Sequence, residues 1–472
     1  TGGGVPHGIL TNRVAIDKPI TVRSVNGPAN TVIQGAGPSG EGAVRCAYVG
    51  TDAVLSGFML TNGATRTNGF ISDQNGGGAY CEGSGVLTNC TLAGNSATDS
   101  GGGAHGGTLN NCTLSGNTAS NWGGGAFEST LANCTLSGNS AADSGGGASG
   151  STLNNCALSG NSATNGGGAC NSMLNNCTLV GNTATNGGGV DYCTLTNCTL
   201  SSNVASKSGG GAYYSTLNNC TLAGNSAVNS GGGAYSSILT NCIVFLNSAN
   251  SGPNYSGYPI TFVHSCTTPD PGGTGNITND PQFVDAAASN YHLCESSPCI
   301  DRGTNLDVQG ATDLDGNPRI VNGCVDMGAF EYQGAGPAPS NYWVWAAAIT
   351  NGLTNYTDCA TGDGYPNLLK YATGSSATAS DGLARLVPGL GIGLFQVHFN
   401  RNNNATDITL IVESATAISN GAKWQGIATN ILGSWGGAAN VEENGVAPPV
   451  AVTVSEPNPA TNGYIRLRVT RP

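Results

Sequence analysis

Apolar and polar residues alternate in short runs along most of the chain, and turn residues cut each run before a helical stripe can develop. In Leu109-Asn110-Asn111-Cys112-Thr113-Leu114, Cys112 and Leu114 fall on one face by period two while Thr113 points away. Gly116-Asn117 ends that run, and a triple glycine ends the next. The phrase then repeats. Cys90, Cys112, Cys134, Cys156, Cys177, Cys198, Cys220 and Cys242 follow one another at intervals of 22, 22, 22, 21, 21, 22 and 22 residues. Each has Leu three residues before it, from Leu87 to Leu239, and Asn immediately before it. Five residues after each cysteine stands a second asparagine: Asn95, Asn117, Asn139, Asn161, Asn182, Asn203, Asn225 and Asn247. Two further on, Ala97 through Ala249 form an alanine column, and every repeat carries a triple glycine, from 76–78 to 231–233.

A unit of this length, cut into short strands and lacking any helical pattern, predicts one coil of a parallel β-solenoid, whose apolar face is buried only when coils stack. At about 4.8 Å per coil, each Leu, Cys and Ala rests on its own copy. The cysteines are then a ladder of small apolar groups, and the second asparagines turn inward at a corner, amide on amide. The triple glycines fit a tight corner. We therefore expect an all-β chain: a parallel β-helix over 1–332, followed by a small β-sandwich. The helix divides into irregular coils at 1–75, regular coils at 76–247, and irregular coils with a cap at 248–332. Residues 333–340 read as a linker. In 341–472, a short helix is expected at 365–374 and strands at 395–399, 408–412, 424–427, 450–454 and 464–469.

Composition narrows the function. Glycine contributes 75 of 472 residues, only 9% are charged, and the net charge is −12. That sign repels phosphate backbones, and no basic run overrides it, so nucleic acid is not an expected partner. The longest apolar stretch, 343–349, is far below the roughly 18 residues of a membrane-spanning helix. The chain starts at Thr1 with no export signal, which reads as a processed or partial sequence.

Residues 10–332 resemble right-handed parallel β-helix proteins of the pectin-lyase-like class, in particular bacterial surface repeats of the polymorphic outer-membrane-protein type, on the Gly-Gly-Gly-Ala, Asn-Cys-Thr-Leu and Gly-Asn phrases. The segments 280–285, 291–293, 297–301, 313–319 and 326–332 are similar to the tail of secreted β-helix proteins with C-terminal surface anchors. The run from Asp363 to Tyr371 is similar to small domains of exported Planctomycetes and Verrucomicrobia proteins. The resemblance implies an extracellular or bacterial cell-surface location. It also implies calcium at Asp358 and Asp363 with the Thr361 carbonyl, against which a plain turn and helix cap stands as the alternative. No other cofactor is expected.

Catalysis on such a coil needs acids or bases clustered on one face. Between Gly76 and Asn247 the only charged residues are Glu82, Asp99, Glu128, Asp143, Asp191 and Lys207, and they do not cluster. No catalytic residue is assigned. Seven cysteines outside the ladder are disulfide candidates: Cys46 with Cys81, Cys170 with Cys193, and two among Cys294, Cys299 and Cys324, which suits an oxidising exterior. The Asn-Cys-Thr sequons, with Asn89 and Asn111 among them, read as strand residues packed in the ladder. The column after each triple glycine varies: Tyr80, His105, Phe127, Ser149, Cys170, Asp191, Tyr213 and Tyr235. Facing outward, its aromatics would meet sugar rings or a neighbouring molecule.

The leading expectation is a non-enzymatic structural protein. Its first coil presents open backbone edges, so copies of the chain would join head to tail into a surface or released fibre. The alternatives are a secreted protein that binds or cleaves polysaccharide in a lateral groove, and a surface adhesin.

Overall fold

The computed structural model describes residues 5–334 and eight strands between Val387 and Thr470. The chain forms two units, Thr1–Pro337 and Ala338–Pro472. In the second, two four-stranded antiparallel sheets are present. One has the order Val387–Gly391, Leu394–Arg401, Val450–Ser455, Asn440–Asn444, and the other Ser434–Gly437, Gln425–Ile431, Thr409–Ala415, Tyr464–Thr470. The helix expected at 365–374, with Asp358 and Asp363, lies outside the described residues.

The first unit is a parallel β-solenoid with four long sheets. One coil can be followed from Ala126–Phe127 in the first sheet, through Thr130–Ala132 in the second and Thr135–Ser137 in the third, to Ser140–Ala141 in the fourth. Gly145–Gly147 then returns the chain to the first sheet. Registers are residue on residue: Leu109 pairs Leu131, Leu114 pairs Leu136, Ala119 pairs Ala141. The core is these apolar ladders, with cysteines on the inside.

The inward asparagines form the expected ladder. Asn139 Nδ2 donates to Asn161 Oδ1 at 3.0 Å and to the Leu114 carbonyl at 3.0 Å, and the Asn139 N–H also donates to Asn161 Oδ1 at 3.0 Å. The ladder runs from Asn95 to Asn247 and ends on Asn254. Each amide is thus satisfied inside a dry core.

The asparagine before each cysteine behaves otherwise. Asn89, Asn111 and Asn133 are exposed corner residues with φ of 51°, 52° and 53°, not strand residues packed in the ladder. Asparagine recurs there because it tolerates the left-handed conformation that the corner needs. The next residue clips the corner. Cys134 Sγ donates to the Ala132 and Leu109 carbonyls and accepts the Cys112 N–H at 3.4 Å. At the opposite corner Ser129, Ser151, Ser172, Cys193, Ser215 and Ser237 make the same contacts, and Ser265 replaces cysteine at the end of the first ladder. Thiol and hydroxyl therefore serve one geometric role.

Every cysteine among the described residues is a free thiol. Cys46 and Cys81 lie on neighbouring strands but out of register, since Cys81 stands opposite Val49. Cys170 sits in the outward column of its strand, whereas Cys193 turns inward to the Ala169 carbonyl. Cys299 packs in a small core with Cys266, away from a bond to Cys294 or Cys324. Burial raises Cys46, Cys81 and Cys170 to about 12, which keeps them as thiols. The inference of an oxidising compartment from these residues loses its basis.

The ends also differ from expectation. Val5–His7 pairs antiparallel with Leu10–Ile16 and so covers the edge of the first sheet. Asp73, on the short helix Ile71–Gln74, accepts the Ile9 and Leu10 N–H groups at 3.1 Å and fixes that hairpin. The open edge on which head-to-tail assembly rested is therefore paired at Leu10–Asn12 in this sheet, which now ends on a strand of three residues. At the other end, residues 280–332 do not simply cap the coil. They fold back along its side: Asn241 exchanges hydrogen bonds with Thr304, Thr221 accepts the Ala329 N–H, and Asn197 donates to the Thr312 carbonyl.

Candidate functional site

Where this returning tail lies against the third sheet it leaves a cleft of about 810 Å³. The floor comes from the repeat. Asn133, Asn155 and Asn176 are successive corner residues, and Ala157, Thr178 and Thr199 are successive outward residues in paired register. An amide or hydroxyl thus recurs at every coil, about 4.8 Å apart. Asn155 Nδ2 donates to Asn133 Oδ1 at 3.3 Å, which orients both amides along the coil axis.

The wall comes from the tail. In Tyr291-His292-Leu293 alternation buries Tyr291 and Leu293 and leaves His292 facing the cleft. His292 Nε2 lies 2.5 Å from Asp315 Oδ2, Nδ1 lies 2.6 Å from Asn290 Oδ1, and the ring stacks on Phe330 at 4.0 Å. Both ring nitrogens are thus engaged, which holds the ring in one orientation between Asp315 and Asn290. Asp313 also lines the cleft, but its carboxylate is filled by the N–H groups of Asp315, Asn317 and Glu331. The cleft can accordingly offer hydrogen bonds along its floor, an aromatic edge, and one imidazole–carboxylate pair able to move a proton.

Beneath the wall the motif residues of the tail act as a scaffold. Asp326 accepts the N–H groups of Asp301 and Tyr332, both at 2.7 Å, and Glu331 accepts those of Val321 and Asp326. Burial first, and then the neighbouring carboxylate, holds Glu331 well above the usual carboxylate range; Asp326 is raised mainly by burial. Buried Arg319 faces these acids and donates to the Asp326 and Gly328 carbonyls.

The variable column has a different fate. Its aromatics stack on one another: Tyr80 on His105 at 4.8 Å, Tyr213 on Tyr235 at 5.1 Å, with Trp122 beside Phe127 at 6.0 Å. Between these groups Ser149, Cys170 and Asp191 are buried, and burial raises Asp191 to about 7. Asp99 and Asp143 bind neighbouring coils, accepting from Asn121 and Trp122. Among the described residues no group of three or more metal-ligating side chains is gathered.

His292, Asp315 and Phe330 were not singled out from the sequence. They stand apart in the chain and meet only through the fold of the tail. The available signals were the alternation at 291–293 and the Asp-x-Asp-Gly turn at 313–316, in which the second aspartate gives its N–H to the first and keeps its own carboxylate outside the turn.

No family model matches the chain, and no curated protein matches it. Solved structures do. A pectate lyase is 16% identical, covering 67% of this chain and 87% of its own, with a TM-score of 0.35. A mannuronic-acid-specific lyase from human gut microbiota is 12% identical over 56% and 74%, with a TM-score of 0.23. A tailspike protein of bacteriophage CBA120 is 10% identical over 55% and 49%, with a TM-score of 0.21. Sparse charge in the regular coils does not decide against catalysis, because His292 and Asp315 meet outside them, and the expectation of a non-enzymatic chain is withdrawn. Proton-transfer groups are present in the tail, outside the coils on which that expectation rested. The first unit is thus an all-β parallel β-solenoid.

Proposed function

We propose that this is an extracellular polysaccharide-binding protein whose ligand occupies the cleft between the third sheet and the returning tail. The observation that carries this reading is the floor. Asn133, Asn155, Asn176, Thr178 and Thr199 repeat an amide or hydroxyl at the coil spacing, and a polymer of sugar rings repeats its own hydroxyls in the same periodic way. Phe330 supplies an apolar face for a ring, and no helix among the described residues is long and apolar enough to cross a membrane. The His292–Asp315 pair favours a second reading in which the bound glycan is also cleaved, with His292 exchanging a proton at the scissile bond.

Affinity electrophoresis of the full chain against soluble glycans tests binding, and Phe330→Ala should abolish any retardation while the coil's circular dichroism is unchanged. Retardation that survives both Phe330→Ala and Asn155→Ala would place the ligand elsewhere. New reducing ends that vanish in His292→Ala would establish cleavage.

A further inference from the structure

The charges around the cleft define the ligand more closely. We infer, resting on the reading of the cleft as a glycan site, that it takes an uncharged polysaccharide laid lengthwise along the coil axis rather than a polyuronate. The titratable acids and imidazole lining it are Asp313, Asp315 and His292, and among the described residues no lysine or arginine lines it. His292 lies against the Asp315 carboxylate, so the pair brings no net positive charge to the cleft. Arg319 lies below, 1% exposed, turned to backbone carbonyls and surrounded by Glu331, Asp326 and Asp313. A uronate would bring one carboxylate per ring against acids and amides, losing water without gaining a cation, and the chain's net charge of −12 adds repulsion at longer range. Hydroxyls of a neutral glycan, by contrast, pair with the amides and hydroxyls of the floor at no such cost.

The direction follows from the floor. Asn133, Asn155 and Asn176 succeed one another along the axis and the tail walls one side, so a chain lying across the coils would meet the repeat once, whereas a chain along it meets every copy. Reaction chemistry follows as well. β-Elimination withdraws a proton that is acidic only beside a carboxyl or ester group, which neutral glycans built of xylose or mannose lack. Cleavage here is therefore hydrolysis, in which water gives its hydroxyl to the anomeric carbon and a proton ends on the leaving glycosidic oxygen.

Isothermal titration of the full chain with neutral oligosaccharides of increasing length (xylan- and mannan-derived) and with oligogalacturonate and oligomannuronate, each with calcium and with chelator, decides the matter. Neutral oligomers should bind, with affinity rising until about three to four rings span the floor and then levelling. Uronates should bind at least about tenfold more weakly, and Asp315→Lys should narrow that gap. Uronates binding as well as or better than neutral oligomers, with or without calcium, would overturn this inference and leave the glycan cleft standing. Binding of no glycan at all would overturn both. Neutral binding with no dependence on length would overturn the lengthwise placement.

Discussion

The two ladders show how one side chain can be chosen for its hydrogen bonds rather than its bulk. Asn139 spends both amide groups on the coils beside it, and an apolar replacement would orphan the Asn117 N–H, leave Asn117 Nδ2 with the Leu92 carbonyl alone, and leave Asn161 Oδ1 with one backbone donor in place of two. Cysteine looks at first like a filler of the apolar core, as its ladder suggests. Its Sγ, however, both donates to a carbonyl and accepts an N–H, and serine makes the same contacts at Ser151 and Ser265. Cys134→Ser should therefore cost about 1 kcal/mol or less, whereas Cys134→Ala leaves the Cys112 N–H unpaired and should cost about 2 kcal/mol. Urea unfolding followed by far-ultraviolet circular dichroism separates these outcomes, and equal costs for the two variants would return the thiol to the role of plain filler.

At the level of the corner and the strand, glycine has two distinct uses. Gly138, at φ +59°, has nothing within 4 Å of an added Cβ, so Gly138→Ala bears only the left-handed backbone cost of about 1–2 kcal/mol. Gly146 has ordinary backbone angles, but a Cβ there would come within 2.3 Å of the Ser162 carbonyl oxygen and 2.6 Å of that of Gly167. Gly146→Ala should thus force coils apart and cost more than about 4 kcal/mol, read as lost thermal midpoint or as failure to fold. A mild Gly146→Ala would mean that the triple glycines serve conformation and not close stacking. The coil was legible in the sequence because it repeats: Leu, Cys, Asn and Ala each face the same environment eight times, so period alone fixes their side. The tail does not repeat, and its partners are distant in the chain, Asn197 for Thr312 and Thr221 for Ala329. Alternation at 291–293 places His292 on a face but cannot bring Asp315 to it. The disulfide candidates lie outside the repeated cysteine column, so repetition does not fix which side of the coil each one faces.

For the molecule as a whole, translational equivalence of the coils separates stability from function. The tail is hydrogen-bonded to Asn197, Thr221 and Asn241 and packs on Ile243 and Cys266, all beyond the residue at which the cleft floor begins, Asn133. Excision of 113–134 joins Cys112 to Thr135, keeps every ladder in register, and puts Asn111 in the place of Asn133, with the same φ near +52°. A solenoid is stabilised chiefly by contacts between neighbouring coils, so this deletion should lower the unfolding midpoint by one interface's worth while glycan binding persists. Excision of 113–123 is shorter yet should be far worse. It removes the strand Thr113–Ser115 with Asn117 and leaves Leu109 and Cys112 running directly into the glycines that precede Ala126, so no later residue can find its copy. Binding isotherms and thermal melts of the two variants side by side give the answer. Loss of binding in the full-coil deletion, with folding retained, would mean that the site extends to residues peculiar to that coil, such as Trp122 or Phe127, and not to the repeated floor.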